Sequence, residues 1–376
     1  MNSQISEREM PVKPEGLIPQ FLTPLVSSLH PGLGIREAKV VNVKSYGEAN
    51  NEASVSTSTQ VTLDVRYDRA TQLPTRLLVK MSIPEDVLCS NPELGPLFVN
   101  EIDFYQRLRP ELHLEAPQAM GGYLDPHSRR FVLLMEDLKP KSPHFNSMTD
   151  ADDVAVVQGV LDTLAKLHAT YWETPRFKTD LSWVENQVAG PMEDMFDTFI
   201  RQHVVNELKR ERYKREFTQE LGTNEAEMYF GEKALKRHQA TLAQTFLHGD
   251  THFGNTYSLP NKAGGLIDWQ VSCRGFLMHD LGYFIQTALS VEGRRKHERE
   301  LLQFYREKLR EHGVKEPPSA DLLWLEYRRS ALHGFYLGWL TAPRENYGLE
   351  VCVIGNHRTK VACADLETMP LIRELL

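Results

Sequence analysis

The sequence predicts an α+β chain of two lobes, a small β-rich one first and a larger, mostly helical one after it. Three observations carry this reading. Between residues 36 and 83, β-prone runs alternate with polar, turn-forming stretches. After about residue 150, apolar residues recur at helical spacing. Residues 247–270 interrupt the helical half with a glycine-bearing island of loop and strand. Elements in this order bury their apolar faces as two layers, with a cleft between them.

Taken in order, residues 1–20 are polar and proline-bearing and read as a flexible arm. The runs AKVVNV (38–43), STQVTLDVRY (58–67) and RLLVKMSI (76–83) read as strands; in the second, Val61, Leu63 and Val65 share one face. LFVNEIDFYQRLR (97–109) places Phe98, Ile102, Tyr105 and Leu108 at helical spacing. FVLLMEDL (131–138) is a buried strand that leaves into polar chain, so the first lobe spans 21–137 and the second 138–376. In the second lobe Val157, Leu161, Leu164, His168 and Tyr171 form one helical stripe, and 193–242 and 291–341 are charged and helical in pattern.

Composition narrows the function. The 376 residues carry 43 basic and 51 acidic side chains, a net charge of −8, which argues against nucleic acid as a partner. The four cysteines (Cys89, Cys273, Cys352, Cys363) are scattered without a CxxC pair, so neither a disulfide framework nor a zinc knuckle is expected. The start of the chain lacks the apolar core of a signal peptide, and no run of about 18 apolar residues follows, so no membrane span is expected. The reading is a cytoplasmic protein.

The chemistry concentrates in LHGDTHFGNTYSLPNKAGGLIDWQ, 247–270. Phosphoryl transfer needs a carboxylate beside the attacking hydroxyl and oxygen ligands for Mg²⁺ near the phosphates. His248-Gly249-Asp250 is followed five residues later by Asn255, and Asp268 then ends a short apolar strand. An ionised Asp250 accepts only, so it can orient a hydroxyl and take its proton. Asn255 offers a neutral hard oxygen and Asp268 a charged one, a donor set that suits Mg²⁺. An Asp and an Asn in a glycine loop are usually turn-formers. The full order, H-x-D-x4-N, apolar strand, D-W, is far more specific. His248, Asp250 and His252 also suggest a zinc hydrolase, but that reading leaves Asn255 and Asp268 unexplained.

HGDTHFGN followed by IDWQ resembles the aminoglycoside phosphotransferase and choline kinase superfamily, most closely its ecdysteroid-kinase-like branch. LVKMS (78–82), NEIDFYQRL (100–108), LLMEDL (133–138) and LAKLHA (164–169) stand in the family's order. The resemblance implies a protein-kinase-like fold with an ATP-binding first lobe, ATP and Mg²⁺ as cofactors, and phosphorylation of a small-molecule hydroxyl. It implies Asp250 as catalytic base and Asn255 and Asp268 as metal ligands. Lys80 would hold the ATP phosphates, itself held by Glu101, with Asp103 as the other choice. Backbone groups at about Glu136 and Leu138 would meet the adenine edge. The phosphate-covering turn falls near Tyr46–Asn51, with Ser54 close by. Asp280 reads as a cap or hydrogen-bond anchor, and His168 as a satisfied core histidine.

No activation segment follows Asp268, which favours a small acceptor over a protein. The stretch 322–340, with Trp324, Tyr327, Phe335, Tyr336 and Trp339 and Glu326 as its only acid, either lines a pocket for a largely apolar alcohol or simply fills the core of the lobe. The competing reading is a nucleotide-binding pseudokinase or interaction module without turnover. Nothing in the sequence names the acceptor or an oligomeric state.

Overall fold

The computed structural model describes residues 10–51, 54–55, 58–83 and 85–376. The chain divides into two compact units, Met1–Ser142 and Pro143–Leu376. The division falls a few residues beyond the end of the buried strand because Lys139–Lys141 stays with the first unit. Lys141 Nζ is tied there to Glu115 (3.0 Å) and Glu136 (3.2 Å).

The first unit is built on a five-stranded antiparallel sheet of β1 (Ile35–Lys44), β2 (Thr59–Tyr67), β3 (Arg76–Met81), β4 (Ala119–Leu124) and β5 (Phe131–Glu136). Their spatial order is β1-β2-β3-β5-β4. Period-two burial fixes the register. Val61, Leu63 and Val65 of β2 and Leu77, Val79 and Met81 of β3 enter one core. Helix Pro19–Leu29 covers that core with Phe21, Leu22, Leu25 and Val26. The sequence reading lacked both this helix and β4. Pro24 inside the helix removes a backbone donor, which makes the segment read as irregular. The flexible arm also needs correction. Residues 1–9 lie outside the described residues, but Met10 and Leu17 are buried in the same core. Burial of these two apolar side chains offsets part of the entropy lost in ordering the segment.

The second unit is mainly helical. Helix Val154–Thr170 buries the stripe from Val157 to His168, and Asp153 caps it by accepting from Ala155 N and Val156 N. Longer helices follow at Glu225–Gln239, Val291–Glu311, Ala320–His333 and Leu349–Asp365. The island between them forms short strands: β6 (His144–Phe145), β7 (Thr245–Leu247), β8 (Thr256–Ser258), β9 (Gly264–Leu266) and β10 (Cys273–Gly275). They pair antiparallel as β9-β8-β6 and β10-β7. The packing of β9 on helix Val154–Thr170 is so close that a side chain on Gly159 would meet Lys262 O at 2.0 Å. Thr163 Oγ1 donates to Gly264 O at 2.7 Å across this contact. No helix among the described residues is long and apolar enough to cross a membrane.

Candidate active site

In the first unit Lys80 projects from β3 and its ammonium lies 2.5 Å from Glu101 Oε1. Glu101 is buried to 1% exposure on helix Gly95–Asp103, where an unpaired carboxylate would be costly. Asp103 faces Arg107 instead, at 3.8 Å, and burial raises its carboxyl above the ordinary range. At the end of β5 the Glu136 N–H donates to Gln118 O (2.9 Å), so that donor is already used. Leu138 is buried, and its carbonyl accepts from Lys141 N (2.8 Å). The turn at Ser45–Glu48 is closed by Glu48 N to Ser45 O and by Ser45 N to Glu48 Oε2. The side chains of Ala49, Asn50, Asn51 and Ser54, the rest of the expected phosphate cover, lie outside the described residues.

In the second unit β7 delivers the chain to His248, Gly249 and Asp250. Gly249 has φ +88°, and a side chain there would meet Val271 O at 2.1 Å, so only glycine makes this turn. Asp280, in the first turn of helix Met278–Ala288, sits wholly buried beneath it. One of its oxygens accepts from His248 N (2.7 Å) and His168 Nε2 (3.0 Å), the other from Gly249 N (2.9 Å). Burial works to raise the Asp280 carboxyl. The hydrogen bond and charge of His168, with His279 and His248 beyond, outweigh burial and hold it below the usual carboxylate range. His168 completes the chain by hydrogen bonding from Nδ1 to the Tyr305 hydroxyl (2.5 Å), so both its ring nitrogens are satisfied. Asp280 and His168 therefore anchor the loop, in keeping with their expected roles.

The loop and the strand carrying Asp268 are laced together. His248 Nε2 donates to Ile267 O (2.8 Å) and Ile267 N to Asn255 O (3.0 Å). Asn255 Nδ2 donates to the Asp250 carbonyl (2.9 Å) and to Asp250 Oδ2 (3.0 Å). Because a carboxylate only accepts, this contact fixes which end of the amide is nitrogen and turns Oδ1 the other way, where it could serve as a ligand atom. The Asp250 side chain is 36% exposed. Asp268 has φ +67°, a left-handed conformation that a non-glycine residue adopts at a cost of about 1–3 kcal/mol. Its Oδ1 is buried with no hydrogen-bond partner among the described residues. An orphaned carboxylate oxygen beside the Asn255–Asp250 pair fits a divalent cation, which would supply the missing partner.

His252 accepts from Gly254 N through Nδ1 (3.1 Å), which puts its proton on Nε2, 3.9 Å from Asp250 Oδ2. Burial, only partly opposed by Asp250 and Asp268, lowers its pKa, so the ring is neutral. Its ring packs among Tyr283, Trp339 and Tyr347. With both His248 nitrogens committed, and no cluster of three or more His, Cys, Asp or Glu fit for a metal among the described residues, zinc chemistry has no support.

Of the two readings of the aromatic stretch 322–340, pocket wall or filled core, the structure shows the core. Tyr327, Phe335, Tyr336 and Trp339 are buried and fill the core of the unit. Trp324 stacks on Tyr327 under the Arg299 guanidinium. Glu326 is buried against His238 (2.9 Å) and Arg329 (2.7 Å). The sequence reading missed the ring cluster around His252. Tyr347 and Tyr283 reach it from separate helices, so no local pattern marks it.

A family model described as the ecdysteroid kinase-like family matches residues 50–315. No individually curated protein matches the sequence. Similar solved structures include a spectinomycin phosphotransferase in complex with ADP and spectinomycin, at 12% identity and TM-score 0.42 over 98% of this chain and 100% of that one. A type I macrolide 2′-phosphotransferase is similar at 14% identity and TM-score 0.38 over 95% and 99%. A choline kinase from Streptococcus pneumoniae is similar at 15% identity and TM-score 0.38 over 87% and 94%.

Proposed function

The chain belongs to the ecdysteroid kinase-like family, of small-molecule phosphotransferase type, and we propose that it moves the γ-phosphate of ATP onto the hydroxyl of a small, largely apolar alcohol. The observation that carries this reading is the pairing of an exposed base with an orphaned ligand. Asp250 is open on one side and held by Asn255 on the other, and beside them Asp268 keeps a buried oxygen without a partner.

In this reading Asp250 accepts the proton of the acceptor hydroxyl as its oxygen bonds to the γ-phosphorus. The bond from that phosphorus to the β–γ bridging oxygen breaks, ADP leaves with the electron pair, and the product is a phosphate monoester. Asn255 and Asp268 are the residues that would hold Mg²⁺, which when bound offsets the charge of the phosphate oxygens. Lys80, braced by Glu101, binds the α- and β-phosphates, and the backbone at Glu136 and Leu138 meets the adenine edge. With the Glu136 N–H used, its carbonyl and the Leu138 N–H are the groups offered. A cytoplasmic location belongs to the same reading, supported by four unpaired cysteines.

The test compares metabolite extracts incubated with enzyme and Mg·ATP against extracts lacking ATP, and seeks species that gain one phosphate. The rate of that gain should fall by ~10²–10⁴ with Asp250→Asn. Mg·ATP binding without any phosphorylated product, across extracts of several sources, would instead indicate a nucleotide-binding module without turnover.

A further inference from the structure

The turn before Asp250 requires glycine at 249, and with no Cβ its own ψ torsion is only loosely restrained by sterics. That torsion sets the direction in which the chain enters Asp250, because the peptide joining the two residues is planar. Two buried groups pin it. Asp280 accepts from Gly249 N at 2.9 Å, and His279 Nε2 donates to Gly249 O at 3.1 Å. Among the described residues His279 is the one donor to that carbonyl. On the far side of the same peptide, Asp250 N donates to His248 Nδ1 at 3.3 Å.

His279 is itself held. It stands beside Asp280 in the first turn of helix Met278–Ala288 and is buried. Its ring lies 4.0 Å from the His333 ring, whose Nδ1 is 2.9 Å from the buried Glu232. These partners come from helices Ala320–His333 and Glu225–Gln239, so two further elements seat the ring. Burial, with His333 beside it, pushes the His279 pKa down to about 3, so the ring is neutral and carries one proton. A carbonyl only accepts, which places that proton on Nε2 and leaves Nδ1 bare.

Resting on the kinase reading above, we propose that His279 is a positioning residue for Asp250: by holding Gly249 O it sets the direction in which the Asp250 carboxylate meets the acceptor hydroxyl. Without this hydrogen bond the Gly249 torsion is free to drift, and the carboxylate that follows drifts with it. A reacting group misplaced by about 1 Å costs on the order of 10²-fold in rate. Mg·ATP affinity rests on other groups in that reading, namely Lys80, Asn255 and Asp268, so it is spared.

The test follows the rate at which metabolite extracts gain phosphate from saturating Mg·ATP, with calorimetry of Mg·ATP binding alongside. His279→Leu occupies the ring's space without a donor. It should slow the gain by about 10–100-fold and leave the Kd for Mg·ATP within about twofold of wild type. His279→Gln carries an amide N–H that can reach the same carbonyl, and it should recover the rate to within about fivefold of wild type. A packing role alone would not part these two variants in rate at an unchanged Kd. His279→Leu at the wild-type rate, a loss that His279→Gln fails to recover, or a parallel loss of Mg·ATP affinity would each overturn the proposal. If His279→Leu does not fold, wild-type protein labelled with nitrogen-15 histidine decides. The ring whose signals vanish in His279→Gln should keep its proton on Nε2 and a bare Nδ1 from pH 5 to 8; a proton on Nδ1, or titration in that range, would overturn the assignment. A wild type that adds phosphate to no component of the extracts removes the kinase reading instead, while the ring signals still report whether Gly249 is held.

Discussion

Asp280→Asn keeps the shape of a wholly buried side chain but turns one acceptor oxygen into a donor. Three N–H groups now point at that carboxylate, from His248, Gly249 and His168. The variant can satisfy those on one oxygen only. At least one buried donor is stranded opposite an NH₂ group, at about 1–3 kcal/mol, and the remaining bonds lose their charge assistance. A total loss of about 2–4 kcal/mol follows, or roughly 5–15 °C in Tm for a unit of this size. The carboxyl lies below its ordinary range in the folded chain. Its contribution is therefore complete above the unfolded carboxylate value of about 3.9 and is lost as pH falls through the lower folded value. Urea and thermal unfolding across pH should show a constant gap between wild type and variant at neutral pH, closing only in acid. A variant that melts within about 2 °C of wild type, or a gap that narrows on going from pH 6 to 8, would refute the assignment of Asp280 as anchor.

Further outcomes separate the site's roles. Asp268→Asn should weaken Mg·ATP binding, whereas Asp250→Asn should spare it and cut kcat by ~10²–10⁴, as nucleotide titration and steady-state rates will show; the opposite pattern reverses the two roles. Lys80→Ala should raise KM for ATP, lower kcat and lower Tm by removing the cation at Glu101 Oε1. The double variant with Glu101→Gln should be no worse in activity, and additive losses would separate the pair. Gly159→Ala puts a methyl 2.0 Å from Lys262 O. It should cost about 1–3 kcal/mol by overpacking despite alanine's better helix propensity, and the strained β9 should weaken Mg·ATP binding. Unchanged stability would show that this contact yields easily.

Much of this was readable because its signals are local. HGDTHFGN and IDWQ keep their order in sequence, and in the structure hydrogen bonds among His248, Asn255 and Ile267 lace them together. Lys80 sat as a lone charge in an apolar run, which demanded a partner, and that partner is Glu101. What escaped depends on long-range packing. Helix Pro19–Leu29 forms despite Pro24 because its apolar face covers a sheet whose last strands come about 100 residues later. The aromatic richness of 322–340 suggested a pocket, but composition cannot tell a ring that lines a space from one that fills it, and Tyr327 and Phe335 fill it. Glu193 meets Lys233 and Lys236 some 40 residues apart in sequence. Such a pairing has no sequence period to betray it.

The seating of His248 N and Gly249 N on a buried carboxylate has a consequence for solvent exchange. Amides in loops usually trade their protons through small local openings, and functional loops tend toward the least protected end of a protein. These two can exchange only if Asp280 loses its partners, which uncovers His168 and Tyr305 as well. Deuterium uptake at both amides should then be nearly as slow as in the central helices, while the amide of Lys262, at the turn leading to β9, labels early. The segment that bears Asp250 thus belongs to the slowest-opening part of its unit, and its rigidity is set from beneath rather than by whatever binds above it.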